Sequence, residues 1–257
     1  MTPLDTAFAA MAANPDDTAA RLAWFDRLAA SELVLLLEEE AQGDRVKPRI
    51  FTVEGADLVL AFDRDERLAE FAGSGAPYAA MSGRALAGML TDAGLGLGVN
   101  LGAPSETVLE NEAMAWLSGV LSEQPAEVED QPEEVRPPAN LPEALLTALD
   151  LRLASAIGRA NMAYLVATTF AGGRQSHLLA FIDPAPGAET ALAQLVAEAL
   201  TFSGLEAASL DVGFFRASDP FCAQLAKVGL RFDLPQPEEP PKRTAPGTDP
   251  EQPPKLR

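Results

Sequence analysis

The chain is short of several things, and each shortage removes a class of function. It has one cysteine, Cys222, in 257 residues, so no internal disulfide can form. It has one histidine, His177. Without a second histidine, a cysteine pair or a clear acidic partner, neither a zinc site nor a catalytic triad can be assembled around it. We read it as a surface or hairpin residue at the start of a strand. Basic residues are scarce as well, 19 Lys and Arg against 38 Asp and Glu, for a net charge of -19. Such a surface repels DNA, RNA and anionic lipid, so no nucleic-acid and no membrane partner is expected, whereas a basic protein is tolerated. No window approaches the roughly 18 consecutive apolar residues of a membrane span. The N-terminus, MTPLDTAFAAMAANPDD, lacks the basic start of a signal peptide, and Asp5 interrupts its apolar residues. A cytoplasmic protein is expected.

What the chain does have is an ordinary globular composition, 47% hydrophobic and 22% charged, and clear periodicity. Residues 4–12 suit a short helix. Asn14-Pro15-Asp16-Asp17 reads as the start of the next, with Asn14 as cap and Pro15 in the first helical position. Ala20, Trp24 and Leu28 recur at spacing four along it, widened by Leu22 and Phe25. Residues 32–37 form an apolar run of strand length. A charged turn over 38–47 leads into two strands, 49–53 and 57–62, joined as a hairpin by Glu54-Gly55-Ala56. A helix begins at Asp63-Arg64-Asp65-Glu66, and Gly73-Ser74-Gly75 closes it. Residues 77–81 are a strand, Ser82 is placed to cap a helix over 84–93, and Gly94 is its left-handed end. A strand over 95–101, a short extended piece and a helix over 110–121 complete the first half.

Residues 123–138 hold six acids, four prolines and one base, Arg136, and predict an extended, solvated linker. Structure resumes at Asn140-Leu141-Pro142-Glu143, read as a capped helix start carrying Leu141, Leu145, Leu149 and Leu153. Strands over 164–170 and 176–183 pair across Ala171-Gly172-Gly173-Arg174. A helix over 189–202, a strand over 209–215 and a helix over 220–228 follow. Beyond Leu234 there are eight prolines and balanced charge, the composition of a disordered tail.

The first half resembles the N-terminal domain of the SseB family, bacterial proteins named for enhanced serine sensitivity. The matching features are Asn14-Pro15, Ser31-Glu32-Leu33, Phe62-Asp63-Arg64-Asp65-Glu66-Arg67-Leu68, Ser82-Gly83-Arg84 and the glycine-rich strand ending at Asn100. The family often continues that strand into Asn-Pro-Gly, whereas this chain reads Asn100-Leu101-Gly102. From Leu141 to Leu234 the chain resembles the family's C-terminal domain, through the amphipathic helix, Ala163-Tyr164-Leu165 and His177-Leu178-Leu179. The resemblance implies a cytoplasmic, non-catalytic protein whose name records a growth phenotype.

The residues themselves offer little chemistry. Gly94-Leu95-Gly96-Leu97-Gly98 could cradle phosphate only in the order strand, glycines, helix, because the helix N-terminus binds the anion. Here the helix comes first, so the glycines are read as a helix cap and a closely packed strand. Cys222 follows Asp219 with no base before Lys227, the wrong setting for a stabilised thiolate. Asp63, Asp65 and Glu66 lack the further ligands and glycine of a calcium loop and are read as acids at a helix start. Arg45, Lys47 and Arg49 form either a small positive patch or a solvated turn, and Arg152 and Arg159 lie on the helix of the second half.

The expected architecture is α+β. It comprises two small mixed α/β domains with mostly antiparallel or mixed sheets, over 1–122 and 140–234. An acidic linker spans 123–139 and a disordered tail 235–257. No catalytic, cofactor-binding or metal-binding residue and no cofactor is expected. The leading reading is a non-enzymatic interaction or regulatory protein with a protein partner or a homo-oligomeric state. The second is a sensor binding a small molecule such as an amino acid, at the glycine-rich segment or an interdomain cleft.

Overall fold

The computed structural model describes residues 1–237 apart from residues 42, 44, 54, 123–131, 171–172 and 205–209. The expected tail beyond residue 237 and the first part of the expected linker lie outside the described residues. Two helices open the chain, α1 (Pro3–Ala13) and α2 (Thr18–Ala30). The Asn14-Pro15 expectation is corrected here. Asn14 closes α1, its amide donating to the Met11 carbonyl, and the next helix waits for Asp17. The Asp17 carboxylate accepts from the amides of Ala19 and Ala20 at 2.9 and 3.2 Å, and so satisfies the orphan donors of the first turn.

The first sheet comprises β1 (Glu32–Leu36), β2 (Ile50–Val53), β3 (Ala56–Phe62), β4 (Tyr78–Ser82), β5 (Gly96–Val99) and β6 (Thr107–Leu109). Its order is β4-β1-β3-β5-β6, with β2 paired to the start of β3 as the expected hairpin. Helices α3 (Asp65–Ala72), α4 (Gly83–Ala93) and α5 (Asn111–Ser122) connect or follow these strands. One face of the sheet, with Leu33, Leu35, Val59, Ala61, Leu97 and Val99, packs on α2, α4 and α5 through Trp24, Leu28, Leu86, Leu90, Met114 and Leu117. The other face, with Val34, Leu36, Leu58, Leu60 and Phe62, meets Leu68 and Ala72 of the short α3, together with Ala76 and Leu101 from the loops beside it.

The second sheet holds β7 (Pro132–Arg136), β8 (Met162–Phe170), β9 (Gln175–Ile182), β10 (Leu210–Phe215) and β11 (Leu230–Asp233), in the order β10-β9-β8-β11 with β7 beside the end of β8. Helices α6 (Glu143–Leu153) and α7 (Glu189–Phe202) cover one face, and α8 (Pro220–Val228) covers the other. Three expectations change. The part of the linker over 132–136 is a strand, because Val135 packs with the α8 side of the sheet while its charged neighbours stay in water. Asn140 takes a left-handed turn (φ 58) rather than capping, and α6 starts after Pro142 without a side-chain cap. A further strand, β11, follows α8 and completes the edge beside β8. Two mixed sheets with helices on both faces make this an α+β protein.

The two sheets share a plan. In the first, β1 runs antiparallel to both β3 and β4, and β5 runs parallel to β3. In the second, β8 runs antiparallel to both β9 and β11, and β10 runs parallel to β9. Order and direction therefore agree, but the chain visits the outer strands in opposite sequence. It takes β4 through α3 before β5 through α4, whereas it takes β10 through α7 before β11 through α8. In both halves, movement toward the β5 or β10 side crosses the multi-helix face and movement back crosses the single-helix face. Right-handed crossovers demand that arrangement.

Glycines set two close approaches. Gly94 has φ 70 and ends α4 in the left-handed conformation, as expected. Gly83, the first residue of α4, lies so near the end of α2 that an added Cβ would stand 2.0 Å from the Leu28 carbonyl oxygen. Gly88, one turn further on, has only the Ser118 Oγ at 4.0 Å from such a Cβ. Gly83→Ala should therefore destabilise the protein by about 2 kcal/mol or more, because backbone must move. Gly88→Ala should stabilise it by about 0.5–1 kcal/mol through helix propensity. Urea titrations of the two variants test the contrast, and equal midpoints would contradict it.

Candidate functional site

Three places gather side chains with something to offer. The first lies at the carboxyl ends of the neighbouring parallel strands β3 and β5. Asp63 follows β3, Asn100 follows β5, and α1 brings Thr2 and Asp5 over them. Arg67 projects from α3 into the group. Its Nη1 donates to Asp5 Oδ1 at 2.9 Å and to Asp63 Oδ1 at 2.7 Å, and its Nη2 to Asp5 Oδ2 at 2.7 Å. Ser105 Oγ donates to Asp5 Oδ1 at 2.6 Å and accepts from Asn100 Nδ2 at 3.2 Å. Asn100 is fully buried, has φ 52, and its Oδ1 accepts from the Asp63 amide at 3.0 Å. The Thr2 hydroxyl donates to Asp63 Oδ2, and the Thr2 amide donates to Asp5 Oδ2 at 2.8 Å. The bidentate Arg67 contact, helped by Ser105 and Thr2, holds the Asp5 carboxyl well below the usual carboxylate range against the opposing pull of burial. Asp63 is thus part of an ion cluster, and only Asp65 and Glu66 act as first-turn acids of α3.

The second place is the seam where the helices of the two sheets meet. Glu198 of α7 is an acid only 3% exposed. It accepts from Arg84 Nη2 of α4 at 2.7 Å and from Arg152 Nη1 of α6 at 2.8 Å. Arg152 also donates to Asp26 of α2, and Arg84 donates to the Leu121 carbonyl at 3.0 Å. Burial pulls the guanidinium pKa of Arg152 down, and the charge of Glu198 offsets part of that shift. Beside the charges, Phe202 of α7 sits edge-on to Trp116 of α5 at 6.3 Å, and Trp116 edge-on to Phe25 at 5.0 Å.

The third is the outer face of the first sheet, where α3 is the one helix packed among the described residues. Residues paired in register share a face, so Tyr78 lies with Leu36, and Val108 with Gly98 and Leu60. Val53 follows Phe51 by two residues onto the same side, and Phe71 packs on Phe62 with ring centroids 5.6 Å apart. These four are 49%, 52%, 50% and 44% exposed in the order Tyr78, Val108, Val53, Phe71. They are large apolar groups left in water.

The residues weighed from the sequence fall elsewhere. Gly96 and Gly98 are buried in β5, where a Cβ would meet the Leu109 carbonyl oxygen at 2.7 Å and Leu60 at 2.6 Å. They serve close strand packing, as read. Cys222 is half-buried against the α8 side of the second sheet, and its thiol donates to the Arg216 carbonyl at 3.1 Å. Burial first, then Asp219 and Asp183, push that thiol up, away from a reactive thiolate. His177 lies in β9 with Nε2 3.1 Å from the Ala139 carbonyl. In the basic turn, Lys47 pairs with Glu38 at 3.1 Å, and its pKa is raised by that bond and by the charges of Glu38 and Glu39. Arg49 lies over the Phe51 ring at 5.4 Å. Glu38 and Glu39 answer the charge of Lys47, and an open groove of about 750 Å³ runs along the turn. Arg152 is drawn into the seam, while Arg159 stays exposed. Among the described residues no group of three or more His, Cys, Asp or Glu is placed to hold a metal, and no helix is long and apolar enough to cross a membrane.

A chain of two mixed sheets, faced by helices and carrying ion clusters whose charges answer one another, is a two-sheet α+β protein. Its first half can be placed more closely: residues 4–116 match the family model described as SseB protein N-terminal domain. Searches of curated proteins and of solved structures returned no match.

Two predictions follow from the clusters. Asp5→Asn should cost about 2 kcal/mol near neutral pH, by loss of a charged bidentate contact. Its folded pKa lies below the ordinary 3.8, so its contribution is complete above about pH 5 and is lost as the pH falls further. The gap between the urea midpoints of wild type and variant should therefore narrow from about pH 5 toward 2; a constant gap would show that the charge is not its source. In the seam, Glu198→Ala leaves two guanidiniums without their shared acceptor and should cost about 3 kcal/mol, more than Glu198→Met, which refills the volume. Calorimetry of both variants distinguishes charge from packing.

Proposed function

We propose that the protein is a non-enzymatic interaction module that docks a basic partner protein on the outer face of its first sheet. The observation that carries this reading is the set of exposed apolar side chains Val53, Phe71, Tyr78 and Val108 on a face where, among the described residues, the eight-residue α3 is the one helix packed on the sheet. Sheets bury both faces when they can, and apolar groups gathered on an open face mark interaction surfaces. The chain's net charge of -19 argues against a second copy as occupant, because like charges repel, and favours a partner of opposite sign. The seam cluster of Glu198, Arg84 and Arg152 supports the same reading, since its groups are engaged in ion pairs that fix structure rather than activate a nucleophile.

The second half is proposed as the family's C-terminal domain, on its resemblance and on a sheet plan that repeats that of the first. A cytoplasmic setting and a regulatory role connected with serine sensitivity, as the family name implies, complete the proposal.

Affinity purification from the native cell should return one stoichiometric basic protein. The Tyr78→Glu/Val108→Glu double variant, with an unchanged melting temperature, should lose it, and raised salt should weaken the wild-type complex. A wild-type chain that stays monomeric and partnerless would overturn the reading. So would a partner that the double variant retains in full.

A further inference from the structure

Asp5 occupies its place in the strand-end cluster in the way a ligand would. Its carboxylate lies in the fork of Arg67, with the Ser105 hydroxyl on the same oxygen as Nη1. Beside it, the Thr2 hydroxyl donates to the buried Asp63 carboxylate. A carboxylate against a guanidinium, with a donor against a neighbouring carboxylate, reproduces the two charged ends of an α-amino acid.

The cradle does not depend on α1 for its shape. Arg67 is held by Asp63 at 2.7 Å, and Asn100 fixes both the Asp63 amide and the Ser105 hydroxyl. Asn100 is buried in a left-handed conformation that side chains rarely adopt without compensation. All four groups come from the β3–α3 connection, α3 and the segment after β5. The helix that covers them is held to the core by Leu4, which is fully buried, and by Ala7, Phe8 and Met11, which are partly so. The site also lies at the carboxyl ends of adjacent parallel strands, where open α/β sheets bind small molecules.

We propose that the Arg67–Ser105–Asp63 cradle is a binding site for a small α-amino acid, masked by the first turn of α1. The ligand carboxylate replaces that of Asp5 on Arg67 and Ser105, and its ammonium replaces the Thr2 hydroxyl against Asp63. Binding releases α1. The inference is independent of the docking face proposed above, which uses other residues.

Two measurements on the full chain test it, with glycine as the probe and with acetate and methylammonium as single-charge controls. In the wild type, glycine at tens of millimolar should speed hydrogen exchange of the α1 amides, and neither control should. In Asp5→Ala, where the internal competitor is gone, glycine should raise the melting temperature by about 3 °C, and Asp5→Ala/Arg67→Ala should lose that rise. Acetate matching glycine in Asp5→Ala would mean that a carboxylate merely refills a hole, and would overturn the proposal. Wild-type α1 exchange that glycine leaves unchanged would also overturn it, and that arm decides alone should Asp5→Ala fail to fold.

Discussion

The arrangement of the two halves depends on where one buried carboxylate finds its partners. Glu198 lies on the inner side of α7, and a charge taken out of water there is tolerated only when closely paired. One partner, Arg152, comes from its own half and the other, Arg84, from the first half. Arg152 then reaches on to Asp26 of α2. Four helices from two sheets are thus tied by one small network, with Phe202 packed into the first half's core alongside. Such a network adds little net stability compared with an apolar seam of the same volume, but it penalises any other register of α7 against α2 and α4, since each would strand a charge. The aromatic contacts supply adhesion and the ions fix the alignment.

Much of the fold was legible because its signals are local. The stripe at Trp24 and Leu28, the Ser82 cap, the left-handed Gly94 and the hairpins on either side of residue 54 and of residues 171–172 each follow from a few neighbouring residues. The strand at 132–136 was not legible, because its charged and proline-rich composition reads as solvated chain. Only pairing with the end of β8 makes Val135 an inward-facing residue. Likewise Asn14 and Asp17 both resemble helix caps, and the choice between them is made by how α1 ends rather than by either residue's preference.

The clusters were less legible than the fold. Arg67 and Asp5 are 62 positions apart and Arg84 and Glu198 are 114 apart, so nothing in the linear pattern announces either pair. Signals did exist. Asp5 interrupts an apolar helix, and Glu198 sits alone among Leu195, Val196, Ala199 and Leu200, where a charge is out of place unless a base meets it. An acid in an apolar stripe is a request for a partner from elsewhere in the fold.

The order in which the outer strands are visited bears on how the chain is made. In the first sheet β1 and β3 adjoin, β4 is then added beyond β1, β5 beyond β3 and β6 beyond β5. In the second, β8 and β9 adjoin, β10 is added beyond β9 and β11 beyond β8. None of these additions has to pry apart two strands already paired. A chain emerging from the ribosome N-terminus first can therefore assemble each sheet outward from a central antiparallel pair, with every later strand arriving at an edge still open to receive it.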